Sequence, residues 1–376
     1  MIYYLAFYDT VENKAENRKT VLAATNKLQY IFECMQKLGL RFEVLSASGT
    51  TGKKPVHGKK VTLFDGVTLH LPMSLGNSCM PIRVLGNWLI KIWLFLKLLR
   101  MKKTDTLIVY HSLYYMKTVS FAKKLRKFRV VLEAEEIYGD AVGNTTMSAK
   151  EIAFFQTADA YIFPTQLLNE KVNLENKPYV LIHGTYKAEK DRNCKFNDGK
   201  LHAVYAGTFD PRKGGCAAAA EAAAKLDSRY HIHIIGFGTK EDTQNLQKKI
   251  AEIAKTTACE ISFDGLKSGE EYIRYMQSCD IGLSTQNPVG DYNDTSFPSK
   301  VLSYMANGLR VVSVRIPVLE KSAVNDLLYY YEAQTPENIA EAVKAVDMHD
   351  GYDSRKVIEK LDRQFQRDLK GLLDSI

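Results

Sequence analysis

The chain has 376 residues, 45% apolar and 25% charged, a composition that excludes a disordered, collagen-like or coiled-coil protein. It is too long for one hydrophobic core and fits two domains of roughly 150–200 residues. The net charge of +8 is uneven: residues 1–190 carry 27 Lys+Arg against 16 Asp+Glu, whereas residues 191–376 carry 24 against 27, so an acidic partner is expected at the first half.

In chain order, residues 2–8 read as a first strand. No basic region precedes them and charges follow at Asp9, Glu12 and Lys14, which argues against a signal peptide. A helix is expected over 19–38, stopped by Gly39, and then a strand over 42–45. Residues 66–104 hold no Asp or Glu but do hold Arg83, Lys91, Lys97, Arg100, Lys102 and Lys103. Inside this run, 84–99 (VLGNWLIKIWLFLKLL) is apolar and carries two tryptophans. It is too short and too polar to cross a bilayer. One face is expected to pack in the core, while 83–103 touches an anionic membrane surface. No nucleic-acid-binding motif accompanies the charge, so no nucleic-acid partner is expected. Further strands read at 106–110, 130–132, 161–163 and 178–183.

The polar stretch 186–200 (YKAEKDRNCKFNDGK) reads as a linker. The pattern then restarts with a strand at 202–206, an alanine-rich helix over 216–226, and strands at 231–236, 260–263, 281–284 and 311–313. Strands separated by helices predict α/β architecture: two doubly wound Rossmann-like domains facing across a cleft. The expected division is 1–190, 191–350 and a C-terminal helix in 351–376. Ligands in such folds sit at the carboxyl ends of the strands. The six cysteines form no C-x-x-C pair and no His/Cys cluster at metal-ligand spacing. No disulfide framework and no metal are expected, and the compartment is read as reducing.

Two segments carry chemistry. YAGTFDPRKGG (205–215) follows a strand and opens a helix. Its small residues let an anion approach the backbone, the helix start points N–H groups outward, and Arg212 and Lys213 neutralise charge. It contains no G-x-x-x-x-G-K-[ST], and Gly236-Phe237-Gly238 lacks the third glycine of a dinucleotide fingerprint. NDTSFPSKVLSYMANG (293–308) places Phe297, Pro298 and Ser299 before a helix with Lys300 in its first turn. A lysine there opposes the helix dipole, which favours an anion-binding role over an incidental charge.

This pair of segments, with Phe263-Asp264-Gly265-Leu266 and EEYIRYMQSCD (270–280) between them, resembles the C-terminal domain of GT-B-fold glycosyltransferases. The likeness is to the large retaining, nucleotide-sugar-dependent group that builds bacterial surface polysaccharides, and it covers about residues 202–317. It implies that the C-terminal helix in 351–376 crosses back to the first domain and that Gly207, Arg212 and Lys213 hold the donor diphosphate. Gly265 and Leu266 would flank the nucleobase, and Phe297, Ser299 and Lys300 would sit on the phosphates and sugar. Where the family carries a pair of glutamates near the donor sugar and ribose, this chain has Thr295 and Ser303, with Asp294 adjacent as a substitute carboxylate. In the first half, His111 stands where the family places a histidine near donor and acceptor. Glu136 is the candidate general base, with Glu135 beside it. Asn17 and Arg18 lie in the loop after the first strand. The implied activity is metal-independent, retaining transfer of a sugar from a nucleoside diphosphate sugar, UDP before GDP, to a lipid-linked or saccharide acceptor. The enzyme is expected in the cytoplasm, peripheral on the inner face of the membrane, with no cofactor beyond the co-substrate. A nucleotide-sugar 2-epimerase and a non-catalytic sugar-nucleotide-binding partner of another transferase are the alternatives.

Overall fold

The structure, a computed structural model, describes residues 1–20, 22–211, 214–289, 293 and 295–376. It divides into unit 1 (residues 1–164, 168–182 and 365–376) and unit 2 (165–167 and 183–364).

Unit 1 contains β1 (Ile2–Ala6), β2 (Phe42–Ser46), β3 (Lys59–Phe64), β4 (Val67–Leu71), β5 (Thr106–Tyr110), β6 (Arg129–Glu133), β7 (Ala160–Phe163) and β8 (Tyr179–Leu181). They form one sheet in the order β3-β4-β2-β1-β5-β6-β7-β8. Pairing is parallel except for β3 against β4. Helices α1 (Leu22–Lys37), α2 (Met80–Leu98), α3 (Met116–Arg126), α4 (Tyr138–Ala141), α5 (Thr145–Phe155) and α6 (Gln166–Val172) lie between the strands in sequence. Central strands such as TLIVY are short apolar runs, as burial on both faces of a parallel sheet requires. The core joins Leu5, Val109, Leu132 and Phe163 to Leu94 and Leu98 of α2. Strand order reverses between β1 and β5, so the loops after those strands open at the switch point. The β3–β4 hairpin was not expected from the sequence. Its strand KKVTLF lies at the sheet edge, where Lys59 and Lys60 discourage further pairing.

Unit 2 contains β9 (Leu201–Thr208), β10 (Tyr230–Phe237), β11 (Glu260–Gly265), β12 (Ile281–Ser284), β13 (Arg310–Val314) and β14 (Leu328–Tyr331). All are parallel, in the order β11-β10-β9-β12-β13-β14. The helices are α7 (Gly215–Ala222), α8 (Lys240–Ile253), α9 (Gly269–Ser278), α10 (Lys300–Ala306), α11 (Pro317–Glu320), α12 (Pro336–Lys344) and α13 (Ser354–Ser375). Buried alanines along α7 let it lie close to the sheet. A reciprocal cap between Thr239 and Asp242 starts α8. Thr335, followed by Pro336 in the first turn, starts α12. The stretch read as a linker lies on unit 2, where Arg192 N–H donates to Gln277 Oε1 at 2.8 Å and Phe196 N–H to the Ser278 carbonyl at 3.3 Å. In this sheet the order reverses between β9 and β12, which fixes the switch point.

Candidate functional site

At the switch point of unit 2, β9 ends on Gly207 and Thr208. Gly207 pairs in register with Gly236 of β10. A Cβ on Gly236 would overlap the Gly207 carbonyl oxygen, so glycine is required for these strand ends to approach. Lys300, the first residue of α10, projects onto the same spot. Its Nζ lies 3.6 Å from the centroid of the Tyr205 ring, close enough for a cation–π contact. A Cβ on Gly207 would sit 2.6 Å from Lys300 Cε and 2.7 Å from Nζ, so the missing side chain makes the room in which the ammonium lies.

Neighbouring bonds fix this arrangement. The Tyr205 hydroxyl donates to the Thr208 carbonyl at 3.1 Å. Thr285, just past β12, donates its hydroxyl to the Gly215 carbonyl at 2.6 Å, and Gln334 Nε2 donates to the Thr285 carbonyl at 2.7 Å. Gly214, at φ +63°, caps the start of α7 in the left-handed region. The first-turn amides of α7 have no acceptor within the helix. Together these features make a positively polarised spot at the carboxyl edge of the sheet, suited to an anion.

The flanks differ in character. Gly265 ends β11 at φ +72°, which only glycine adopts readily, and Leu266 beside it is exposed. Phe237 at the end of β10 is exposed as well, so two apolar side chains stand at adjacent strand ends. On the other flank Phe297 is buried and stacks on His183, with ring centroids 4.6 Å apart at 16°. The Thr295 carbonyl accepts from the Thr165 hydroxyl at 3.0 Å. Ser299 is the residue before α10. Ser303, one turn along from Lys300, is bonded through its hydroxyl to Tyr272 of α9 at 3.0 Å. Arg212, Lys213 and Asp294 lie outside the described residues.

In unit 1, His111 follows β5 and its N–H donates to the Glu133 carbonyl at 2.8 Å. Its ring is 1% exposed, stacked on Tyr138 at 4.8 Å and edge-on to Phe155 at 4.6 Å. Nε2 lies 3.3 Å from Glu151 Oε1 without forming a hydrogen bond to it. Glu151 instead accepts from the backbone N–H groups of Tyr138 at 2.9 Å and Gly139 at 2.6 Å. Burial drives the His111 pKa down to about 3, against a small opposing contribution from the Glu136 backbone. The ring is therefore a neutral packing element beneath Tyr138 in this conformation, and it offers no nitrogen to solvent.

After β6, Glu133 is buried, takes the Tyr4 hydroxyl and lies 3.6 Å from Lys27 Nζ. Lys27 bonds directly to Glu135. Glu136 is half-buried at the same strand end. Arg18 is buried and donates to the carbonyls of Ser48, Pro72 and His57 at 2.8–2.9 Å and to Glu16 at 2.6 Å, so it clamps its loop. Asn17 turns the chain at φ +46°. Tyr205, Phe237 and Gln334 escaped the sequence reading as site residues. An aromatic between two glycines at a strand end was the available signal for Phe237, whereas Gln334 arrives from far along the chain with none.

Residues 200–346 match the family model for glycosyl transferases group 1. No curated protein matches the sequence. Among solved structures, the chain is similar to the E. coli trehalose-6-phosphate protein bound with UDP-2-fluoro glucose, at 12% identity and a TM-score of 0.66 over 100% of this chain and 99% of that one. It is similar to sucrose-phosphate synthase from Thermosynechococcus elongatus (12%, 0.66, covering 100% and 98%). A third likeness is to Anabaena HepE in complex with UDP and glucose (12%, 0.62, covering 100% and 99%). These matches identify the two Rossmann-like units as the GT-B glycosyltransferase fold.

Proposed function

We propose that the chain is a glycosyltransferase that takes a sugar from a nucleoside diphosphate sugar, UDP before GDP, with unit 2 binding the donor and unit 1 the acceptor. The observation that carries this is the Lys300 ammonium held over Tyr205 in the space left by Gly207, at the switch point of the domain that matches the glycosyl transferases group 1 model. In the reaction the bond from the anomeric carbon to the diphosphate breaks and its electrons stay on the leaving oxygen. The acceptor oxygen bonds to that carbon and loses its proton. Lys300 and the first-turn amides of α7 stabilise the diphosphate charge as it develops, the work a divalent ion does elsewhere, and we assign Arg212 and Lys213 to the same task. Leu266 and Phe237 supply an apolar bed for the base. Glu136 is the carboxylate of unit 1 assigned to the acceptor hydroxyl. We assign retention of configuration on the family likeness.

We further infer that the acceptor is met at an anionic membrane, as in surface polysaccharide synthesis on the inner face of the cell membrane. Among the described residues no helix is long and apolar enough to cross a bilayer. Yet α2 exposes Leu85, Trp88, Ile92 and Leu96 within a stretch whose charges from 66 to 104 are all basic, and α3, further along the chain, exposes Phe121 and Leu125. The sugar-nucleotide-binding alternative draws on Ser303, whose hydroxyl is already engaged by Tyr272.

A thermal-shift panel of UDP, GDP, CMP and ADP on the purified chain tests the donor assignment. Stabilisation by one nucleoside diphosphate supports it, and no shift with any of them removes it. Turnover then separates the classes: a transferase requires an acceptor, an epimerase interconverts free donor, and a binding partner does neither.

A further inference from the structure

At the opposite end of the unit 2 sheet from Gly207, three histidines converge. His202 on β9 is in register with His231 on β10. His233, two residues further, points to the same face as His231. On β11, Glu260 pairs with His231 and Ser262 with His233. His202 and His231 lie five residues, about 16 Å, from the strand ends at Gly207 and Gly236, and His233 lies three residues, about 10 Å, from them, so the group is separate from the proposed donor site. His202 and His233 are buried and the His231 side chain is 12% exposed. Phe196 stacks over His202 at 4.3 Å and over His233 at 5.2 Å.

With every ring neutral and each neighbouring carboxylate taking a ring hydrogen, two ring nitrogens of this cluster are left facing one another. His202 Nε2 lies 2.9 Å from Asp198 Oδ1, and His233 Nδ1 lies 3.0 Å from Asp264 Oδ2. An ionised carboxylate only accepts, so each of these nitrogens carries its hydrogen, and the other nitrogen of each neutral ring is a bare lone pair. Those two, His202 Nδ1 and His233 Nε2, face each other at 2.8 Å. Two lone pairs at that distance repel unless a positive centre lies between them. The hydroxyls of Tyr275 (2.7 Å) and Ser262 (3.2 Å) also reach His233 Nδ1. Were Tyr275 the donor there, His233 Nε2 would carry the hydrogen toward His202 Nδ1 and Asp264 would keep the Ser262 hydroxyl at 2.8 Å, so the metal-free cluster has a second hydrogen-bonded arrangement. His231 adds a third imidazole, with its Nε2 3.0 Å from Ser262 Oγ and its Nδ1 3.6 Å from Glu260.

We propose that His202, His231 and His233 bind a divalent transition ion of the zinc class. One ligand atom from each histidine lies within 4.8 Å of the other two. Zinc–nitrogen bonds of about 2.0–2.1 Å set tetrahedral ligands about 3.4 Å apart, so the close pair opens by about half an ångström on binding. Asp198 and Asp264 already complete two carboxylate–histidine pairs of the kind that orient metal-bound imidazoles. The three rings are neutral ligands, and the partly exposed His231 marks the side from which an ion enters. This ion would brace the sheet, since β9, β10 and the covering α9 meet here; the inference does not depend on the glycosyltransferase reading.

The test uses the full chain, stripped with a chelator and titrated with Zn²⁺ and Co²⁺. Expected results are one ion retained per chain after dialysis, a raised melting temperature, and the visible absorption of tetrahedral Co²⁺ with nitrogen ligands. Asp198→Asn, at an exposed carboxylate, should weaken binding about 10–100-fold through loss of ligand orientation, and His231→Gln should abolish the cobalt spectrum. The melting temperature of each metal-free variant checks folding. Failure of the wild-type chain to retain zinc overturns the proposal and leaves a shared proton between His202 and His233. Equal zinc affinity in wild type and both variants overturns it as well.

Discussion

At the scale of single residues the donor assignment rests on Lys300 and Gly207 acting as one device. Lys300→Ala is expected to weaken UDP binding by about 1–3 kcal/mol through loss of a charge-assisted contact. Gly207→Ala should reproduce much of that loss with the lysine intact, because the new methyl would occupy the ammonium's place, 2.7 Å from Nζ. If one displacement underlies both effects, the double variant costs little more than the larger single change. Calorimetric titration of the three variants decides this, and fully additive losses would separate the two residues. In unit 1 the buried ionisable groups give a pH signature. His111, driven down to about 3 by burial, stays neutral when folded while the unfolded chain takes up a proton below about 6.5. Its contribution therefore falls as pH drops through that window. Glu133 is pushed up to about 7 by burial against the pull of Lys27. Its contribution has the opposite sign, present below about 4.5 and lost as pH rises to about 7. Melting curves between those limits should show Glu133→Gln losing stability more steeply than wild type on acidification, and His111→Gln less steeply. Parallel profiles for all three proteins would refute both assignments.

Individual elements differed in how far the sequence revealed them. TLIVY and the alanine-rich start of α7 were legible because a buried parallel strand and a close-packed helix each require a distinctive composition. The β3–β4 hairpin was missed although its two-residue Asp65-Gly66 connection is a hairpin signal. Its edge strand opens on two lysines and is only half apolar, so it lacks the apolar run of a buried parallel strand. The α2 segment was expected to pack one face and expose another. Ile90, Leu94 and Leu98 are buried, while Leu85, Trp88, Ile92 and Leu96 are exposed on the opposite side of the helix. An apolar stripe facing water next to Lys91 and Arg100 is the feature behind the membrane assignment. The chain should co-sediment with phosphatidylglycerol vesicles, less so with phosphatidylcholine and less at high salt. Replacing Leu85 and Trp88 together by serine should reduce that binding. Because both side chains are exposed, the melting temperature should barely change. Equal sedimentation of the variant would leave the stripe without this role.

For the whole molecule, alternating strands and helices were enough to foresee two Rossmann-like units, since each βαβ repeat advertises itself locally. Long-range convergence was not legible: Gln334 meets Thr285 across 49 positions, and His202 meets His233 across 31. Those meetings follow from strand order, which local periodicity does not encode. Residues 365–376 belong to unit 1 although residues 183–364 before them form unit 2. Phe365 is buried and stacks on Tyr30 at 6.0 Å, Leu369 and Leu372 are buried, and Arg129 bonds the Ile376 carbonyl. The end of α13 is thus part of the unit 1 core. Phe365→Ala should destabilise unit 1 by about 3–5 kcal/mol, as large-to-small core changes do. For a unit of this size that corresponds to a fall of roughly 10 °C in its melting temperature. Both tryptophans, Trp88 and Trp93, lie in α2 of unit 1, so intrinsic fluorescence reports that unit alone. The nucleotide-induced shift reports unit 2. Phe365→Ala should lower the fluorescence transition while leaving UDP affinity near wild type, because the donor pocket contains no residue beyond 364. An unchanged fluorescence transition would mean that the helix end adds little to unit 1, and a matching loss of UDP affinity would mean that the two units do not melt as separate bodies.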